Sequence, residues 1–271
     1  MPATFPSHAA VVLPLKLWRP RWFDGVALVV GSMAPDLAYP FHRIGLVRGH
    51  SWLGLLWWCL PVTLLCCFAI RRTAPVIAAQ LPWAWARDWG ALRLSGHRWW
   101  VTTSSALVAA ASHLAWDSFT HPRSLRFMPS WWASDALAGL PWWHLAQYTS
   151  TAVGGLIATR LLVRIARLRL IRRWHGDPPT ARRAPLLFWP VALAAPAVGV
   201  VTWPWQADRW AVHIQVSQFL LLAGAGLVLA AWVVERREGE LSGGGDPVGA
   251  VAALARQDSG DGVPDRTQHD G

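Results

Sequence analysis

The sequence predicts an all-α fold, a polytopic integral membrane helical bundle of about five to six spans with an N-terminal re-entrant or interfacial helix. Three observations lead to this prediction. The composition is 54% hydrophobic and only 15% charged, whereas a typical globular chain has about 25% charged residues. Apolar runs of about 20 residues, the length that crosses a bilayer, recur along the chain. Arginines cluster between those runs, which is how membrane topology is encoded.

Two short apolar segments begin the bundle. Residues 7–17 (SHAAVVLPLKL) are too few to cross a bilayer, so we expect them to form the re-entrant or interfacial helix. A basic patch follows, and residues 24–41 then form a second apolar segment that Pro35-Asp36 interrupts. We expect residues 7–17 to run inward and residues 24–36 to return outward, so that the two segments begin and end at the same face.

Five longer apolar segments are predicted to cross the membrane completely. They are residues 52–70, 101–120, 145–163, 185–205 and 214–234. Within the first of these, Pro61 predicts a kink, since proline removes a helical hydrogen bond. The composition changes sharply after Val234, where acids outnumber arginines and aromatic residues are absent. The sequence therefore predicts two regions: a membrane bundle over residues 1–234 and a disordered acidic tail over residues 235–271.

The distribution of basic residues predicts the orientation. The loops at 71–100 and 160–183 hold thirteen arginines, whereas the loops at 42–51, 120–144 and 206–213 hold five. The richer loops and the C-terminal tail should therefore be cytoplasmic, with the protein in the inner (plasma) membrane.

A net charge of +10 in a soluble protein would suggest nucleic-acid binding. Here the charge lies between apolar runs, so the expected partner is the lipid bilayer and not a nucleic acid.

Acidic and histidine side chains within the apolar segments are the strongest functional signal. Such groups are costly in a bilayer unless they have a partner, an ion or a water-filled cavity. In SHLAWDSFTHP, His113, Asp117 and His121 follow one another at intervals of four, on one helical face. His113 and Asp117 lie about 6 Å apart along the helix axis, so both can reach one ion.

The sequence allows several roles for His121. It lies about 12 Å from His113 along a regular helix, too far for both to bind one ion rigidly. Pro122 disfavours helix at His121, so the chain can bend there. His121 is then a third ligand, the ligand of a second ion, or a residue that supports a ligand. The alternative for His113 and Asp117 is an interhelical hydrogen-bonded pair without any metal.

Three further residues join this group if the predicted topology holds. Asp36 ends an apolar run, His50 precedes a span, and His8 begins the first segment. Taken alone, each is also typical of an ordinary helix end. On the predicted topology all three lie at the outward face. His113, Asp117 and His121 lie toward the outward end of their own span, so the two groups are close together. Together the six residues would bind a divalent metal ion such as Zn, Mn, Fe or Ni, and Asp36 or Asp117 would be the catalytic general base.

The motifs also carry a resemblance. MPATFPSHAA, GSMAPDLAY, GHSWLGLL, SHLAWDSFTHP and LAQYTSTAVGGL, in this order, resemble a bacterial multi-pass membrane family of unknown function. That family is distantly similar to the membrane-bound metal-dependent hydrolases. The resemblance implies a metal-binding role for five residues: His8, Asp36, His50, His113 and Asp117.

Two functional hypotheses follow. The first is a metal-dependent hydrolase at the outward membrane face, where a lipid-linked or envelope substrate would be within reach. The second is a non-enzymatic membrane protein in which the His/Asp cluster forms a polar bundle core, as an ion or proton path or a structural scaffold. Bound metal with an open coordination position favours the first hypothesis, and a metal-free, water-lined path favours the second.

Overall fold

The computed structural model describes residues 7–44, 47–121, 126, 128–207 and 212–243. The predicted all-α class is confirmed. The helices are α1 (Ala9–Trp18), α2 (Gly25–Gly31), α3 (Trp52–Gln80), α4 (Trp99–Thr120), α5 (Trp142–Arg167), α6 (Leu170–His175), α7 (Pro185–Ala207) and α8 (Val212–Gly243). Two 3₁₀ segments, Asp36–Ile44 and Ala84–Leu94, follow α2 and α3, and a short one, Ser130–Ala133, precedes a two-stranded hairpin of β1 (Asp135–Leu137) and β2 (Leu140–Pro141).

Among the described residues, three helices are long and apolar enough to cross a membrane. They are Trp52–Gln80, Pro185–Trp205 and Val212–Gly239. The predicted spans 101–120 and 145–163 form helices α4 and α5 at the expected positions. Their hydropathy does not reach the same level, because both carry many hydroxyl, amide and ionisable side chains. These polar side chains include the residues of the candidate site.

Helix α3 extends ten residues beyond the predicted end of its span. Arg71 and Arg72 do not terminate it, because Asp24 pairs with Arg71 and Glu235 pairs with Arg72. The kink expected at Pro61 takes the form of a π turn over Leu55–Cys59, immediately before the proline. A proline lacks the N–H that the preceding turn would use, and a π turn is a common way to absorb that defect.

The predicted boundary after residue 234 lies within the last helix. Helix α8 continues through Gly243, so the boundary placed at residue 234 falls within a helix, and the ion pair of Glu235 with Arg72 ties this extension to α3. The rest of the predicted tail, residues 244–271, lies outside the described residues.

Small residues bring the central helices together. A Cβ atom on Gly31 of α2 would lie 2.7 Å from the carbonyl oxygen of Ala106 on α4. Ala27 and Ala109 are fully buried at the same contact. Such close approach of helix backbones is typical of packing between membrane helices. It places the C-terminal end of α2 against the middle of α4, where the candidate site begins.

Candidate metal centre

Asp36 is positioned by the turn that ends α2. Its backbone N–H donates to the carbonyl of Met33 at 3.1 Å, and the Trp58 indole N–H donates to the Ala34 carbonyl at 2.9 Å. These bonds hold the turn against α3, and the Asp36 residue is 5% exposed. The carboxylate is therefore presented from a fixed backbone in the protein interior.

His50 reaches Asp36 because the preceding residue is glycine. A Cβ on Gly49 would lie 2.4 Å from the Pro35 carbonyl oxygen, so only glycine allows this loop to pack on the Pro35-Asp36 turn. Ser51 then caps α3, since its Oγ accepts a hydrogen bond from the Gly54 N–H at 3.0 Å. The Tyr39 ring stacks on the His50 imidazole, with centroids 5.0 Å apart. His50 is thus held between a helix start and an aromatic ring.

His113 and Asp117 stand on one face of α4, one turn apart. His113 is completely buried, and its Nδ1 lies 2.7 Å from the carbonyl oxygen of Ser32 at the end of α2. Carbonyl groups at a helix C-terminus lack intrahelical donors, and this one accepts the Nδ1–H. The bond sets the tautomer, so that the Nε2 lone pair of His113 points toward Asp36 and Asp117.

Four ligand atoms from these residues surround one point. His50 Nε2 lies 3.0 Å from Asp36 Oδ1 and 3.5 Å from Asp117 Oδ2. His113 Nε2 lies 3.4 Å from Asp36 Oδ1 and 3.3 Å from Asp117 Oδ2. One ligand atom from each of the four residues fits within a 4.8 Å span. Ligands bound to one tetrahedral zinc ion at about 2.0–2.2 Å are separated by about 3.3–3.6 Å, so three of these four separations match those around an ion. The fourth, from His50 Nε2 to Asp36 Oδ1, is that of a hydrogen bond.

The electrostatics of the four residues also fit a divalent cation. As metal ligands the two imidazoles would be neutral, so the two carboxylates would carry two negative charges in a buried space, which a doubly charged ion would balance. Among the described residues, His113 Nε2 and Asp117 Oδ1 are buried atoms that make no hydrogen bond. Buried polar atoms are almost always satisfied, so these two lack the partner that a bound cation would provide.

His8 and His121 lie on the far side of Asp117. His8 Nε2 is 3.6 Å and His121 Nδ1 is 3.5 Å from Asp117 Oδ1. The bend expected before Pro122 is present, since α4 ends at Thr120 and His121 has an extended backbone. The structure thus brings together all six residues that the sequence singled out.

Other contacts were not anticipated from sequence. The Ser32 carbonyl and the Tyr39 ring were given no role although both residues lie within the GSMAPDLAY motif. Any residue can supply a carbonyl, and the ring stands outside the acidic and histidine residues that the sequence singles out. His213, at the start of α8, was assigned no role. Its ring meets the edge of Tyr39 with centroids 4.6 Å apart. Its position at the start of a span predicted to begin on the outward face could have indicated this neighbourhood.

The comparisons with known proteins establish the family. None of the curated proteins matches this chain, and none of the solved structures does. One family model covers residues 1–235, which is nearly all of the helical bundle. The chain therefore belongs to the family described as Domain of unknown function (DUF4184).

Proposed function

We propose that this protein is a multi-pass membrane hydrolase that uses a divalent metal ion held by His50, His113 and one of two neighbouring carboxylates, Asp36 and Asp117. The observation that carries the proposal is the meeting of two carboxylates and two imidazoles from three separate chain segments. Their separations suit a shared ion, and within the described part of the chain two buried atoms among them have no hydrogen-bond partner. A histidine and carboxylate donor set suits Zn, Mn, Fe or Ni, with zinc as the simplest candidate.

Each residue has a distinct task. His50 and His113 supply neutral imidazole nitrogens, and the Ser32 carbonyl keeps the His113 ring oriented. One carboxylate completes a set of two histidines and one acid, as in zinc hydrolases with an open coordination position. A divalent ion bound there would supply Lewis-acid activation of water near neutral pH. The other carboxylate, Asp36 or Asp117, would act as the general base that accepts a proton from water.

The surroundings of the centre indicate where the substrate would come from. Three helices are apolar enough to cross a membrane, and the arginine-rich loops favour the cytoplasmic side of the plasma membrane. On that topology the centre lies toward the outward face. A lipid-linked or envelope substrate would reach it from the bilayer. The resemblance to membrane-bound metal-dependent hydrolases supports the same reaction class.

Hydrolysis of chromogenic substrates tests the proposal. The purified protein in detergent is stripped with EDTA, reloaded with Zn or Mn, and assayed with p-nitrophenyl phosphate, bis-p-nitrophenyl phosphate and p-nitrophenyl acetate. We expect turnover of at least one substrate that needs metal and is lost in His113→Ala. His175→Gln, which changes a histidine at the end of α6, is the matched control and should keep full activity. Equal rates in the wild type and His113→Ala would overturn the hydrolase assignment.

A further inference from the structure

The two oxygens of Asp117 face two different pairs of histidines. Oδ2 lies 3.3 Å from His113 Nε2 and 3.5 Å from His50 Nε2. Oδ1 lies 3.5 Å from His121 Nδ1 and 3.6 Å from His8 Nε2. We propose that Asp117 is a bridging carboxylate in a two-ion centre, in which Oδ1, His8 and His121 hold a second divalent ion. The inference rests on the proposed function, since it places this ion beside the first.

The distances on the Oδ1 side are those of ligands to a common ion. Hydrogen bonds from nitrogen to oxygen usually fall between about 2.7 and 3.2 Å, and both separations exceed that range. Ligands about 2.0–2.2 Å from a tetrahedral zinc ion lie about 3.3–3.6 Å apart. Asp117 Oδ1 is buried and accepts no hydrogen bond from the described residues. A cation between these three groups would satisfy the oxygen.

Gln147 provides a reason for the orientation of His121. Gln147 is fully buried, its side-chain amide nitrogen lies 3.1 Å from His121 Nε2, and its Oε1 has no hydrogen-bond partner among the described residues. The two ends of an amide are interchangeable by a half rotation. In the rotated state Oε1 accepts the His121 Nε2–H, which leaves the Nδ1 lone pair facing Asp117. Outer hydrogen bonds of this kind commonly fix the tautomer of a metal-binding histidine.

His8 is placed by a close contact between the start of α1 and helix α5. A Cβ on Gly154 would lie 2.8 Å from Ser7 Cβ and 3.0 Å from the Ser7 carbonyl oxygen. Glycine at this position therefore lets the Ser7-His8 segment approach α5. The His8 ring then lies beside His113, with centroids 3.9 Å apart, so that ligands of the two subsites are neighbours. Paired ions about 3.5–4 Å apart are a common arrangement in hydrolytic enzymes.

The protein offers a matched pair of glycines for testing this placement. Gly155 is the next residue of α5, and a Cβ there would meet no atom of the described residues within 4 Å. Gly154→Ala should displace His8, whereas Gly155→Ala should leave it in place. Both changes raise helix propensity equally, so a difference between them reports the contact with Ser7.

The experiment measures manganese stoichiometry and electron paramagnetic resonance of the protein in detergent. The wild type should bind two Mn²⁺ per chain and show the spectrum of a spin-coupled pair. His121→Ala and Gly154→Ala should each bind one ion, with an uncoupled six-line spectrum, and Gly155→Ala should match the wild type. Two coupled ions in His121→Ala, or a single ion in the wild type, would overturn the second subsite while leaving the first intact. No bound ion in the wild type would overturn the proposed function as well.

Discussion

Gly49→Ala is the most informative single substitution near the centre. It adds one methyl group without touching any ligand. The new Cβ would lie 2.4 Å from the Pro35 carbonyl oxygen and 2.7 Å from Ala38 Cβ. Real Cβ atoms essentially never approach within 3.0 Å, so the His50 loop must move from the Pro35-Asp36 turn by at least about 0.6 Å. Ligand distances in metal sites tolerate only about 0.2 Å.

We therefore expect Gly49→Ala to weaken zinc binding at least about tenfold, the lower end of the losses seen when supporting contacts of a metal site are removed. The assay is competition between the detergent-solubilised protein and a zinc indicator dye, with near-ultraviolet circular dichroism to confirm tryptophan packing. Gly96→Ala is the control, because its Cβ would approach only the Leu94 carbonyl oxygen, at 3.9 Å. Wild-type zinc affinity in folded Gly49→Ala would refute the reasoning that His50 is a ligand held by this contact.

Two further predictions concern ion pairs away from the centre. Asp24→Ala should lower the free energy of unfolding in detergent by about 3 kcal/mol, because Arg71 loses its carboxylate partner. Asp135→Ala, at an exposed position, should have little effect. Equal losses of unfolding free energy in the two variants would contradict a stabilising role for the Asp24–Arg71 ion pair. Hydrogen bonds from Arg169 hold the pKa of the Asp88 carboxyl below its usual value. Asp88 therefore stabilises the fold above the unfolded-state pKa of about 3.9, and the melting-temperature gap between wild type and Asp88→Asn should narrow as pH falls below about 4. A gap that persists unchanged at pH 3 would contradict this account.

The composition of the site was predictable because its strongest signal is local. The spacing of His113 and Asp117 defines one helical face whatever the tertiary structure. Asp36, His50 and His8 could be added because each stands at the end of an apolar segment, where alternating membrane crossings bring segment ends to the same face. The bend at His121 followed from the proline that comes next in the chain.

The supporting contacts could not be predicted because they depend on pairs distant in sequence. Gly49 and Gly154 look like ordinary helix-flanking or helix-packing glycines until their neighbours Pro35 and Ser7 are known. The length of α3 was underestimated for a similar reason. Arg71 usually marks the end of a span, but here a carboxylate 47 residues earlier neutralises it. The polar residues that lower the hydropathy of α4 and α5 are explained in the same way, because their partners in the site come from distant segments of the chain.

Metal content is the measurement that tests the central claim most directly. Purified wild-type protein and the His113→Ala/Asp117→Ala double variant are equilibrated with zinc, freed of unbound ions, and analysed by mass spectrometry. The account predicts at least about one tightly held ion per chain in the wild type, as expected for two histidines and a carboxylate, and none in the variant. The absence of any bound metal from the wild type after loading with Zn, Mn, Fe or Ni, or equal metal in both proteins, would contradict it.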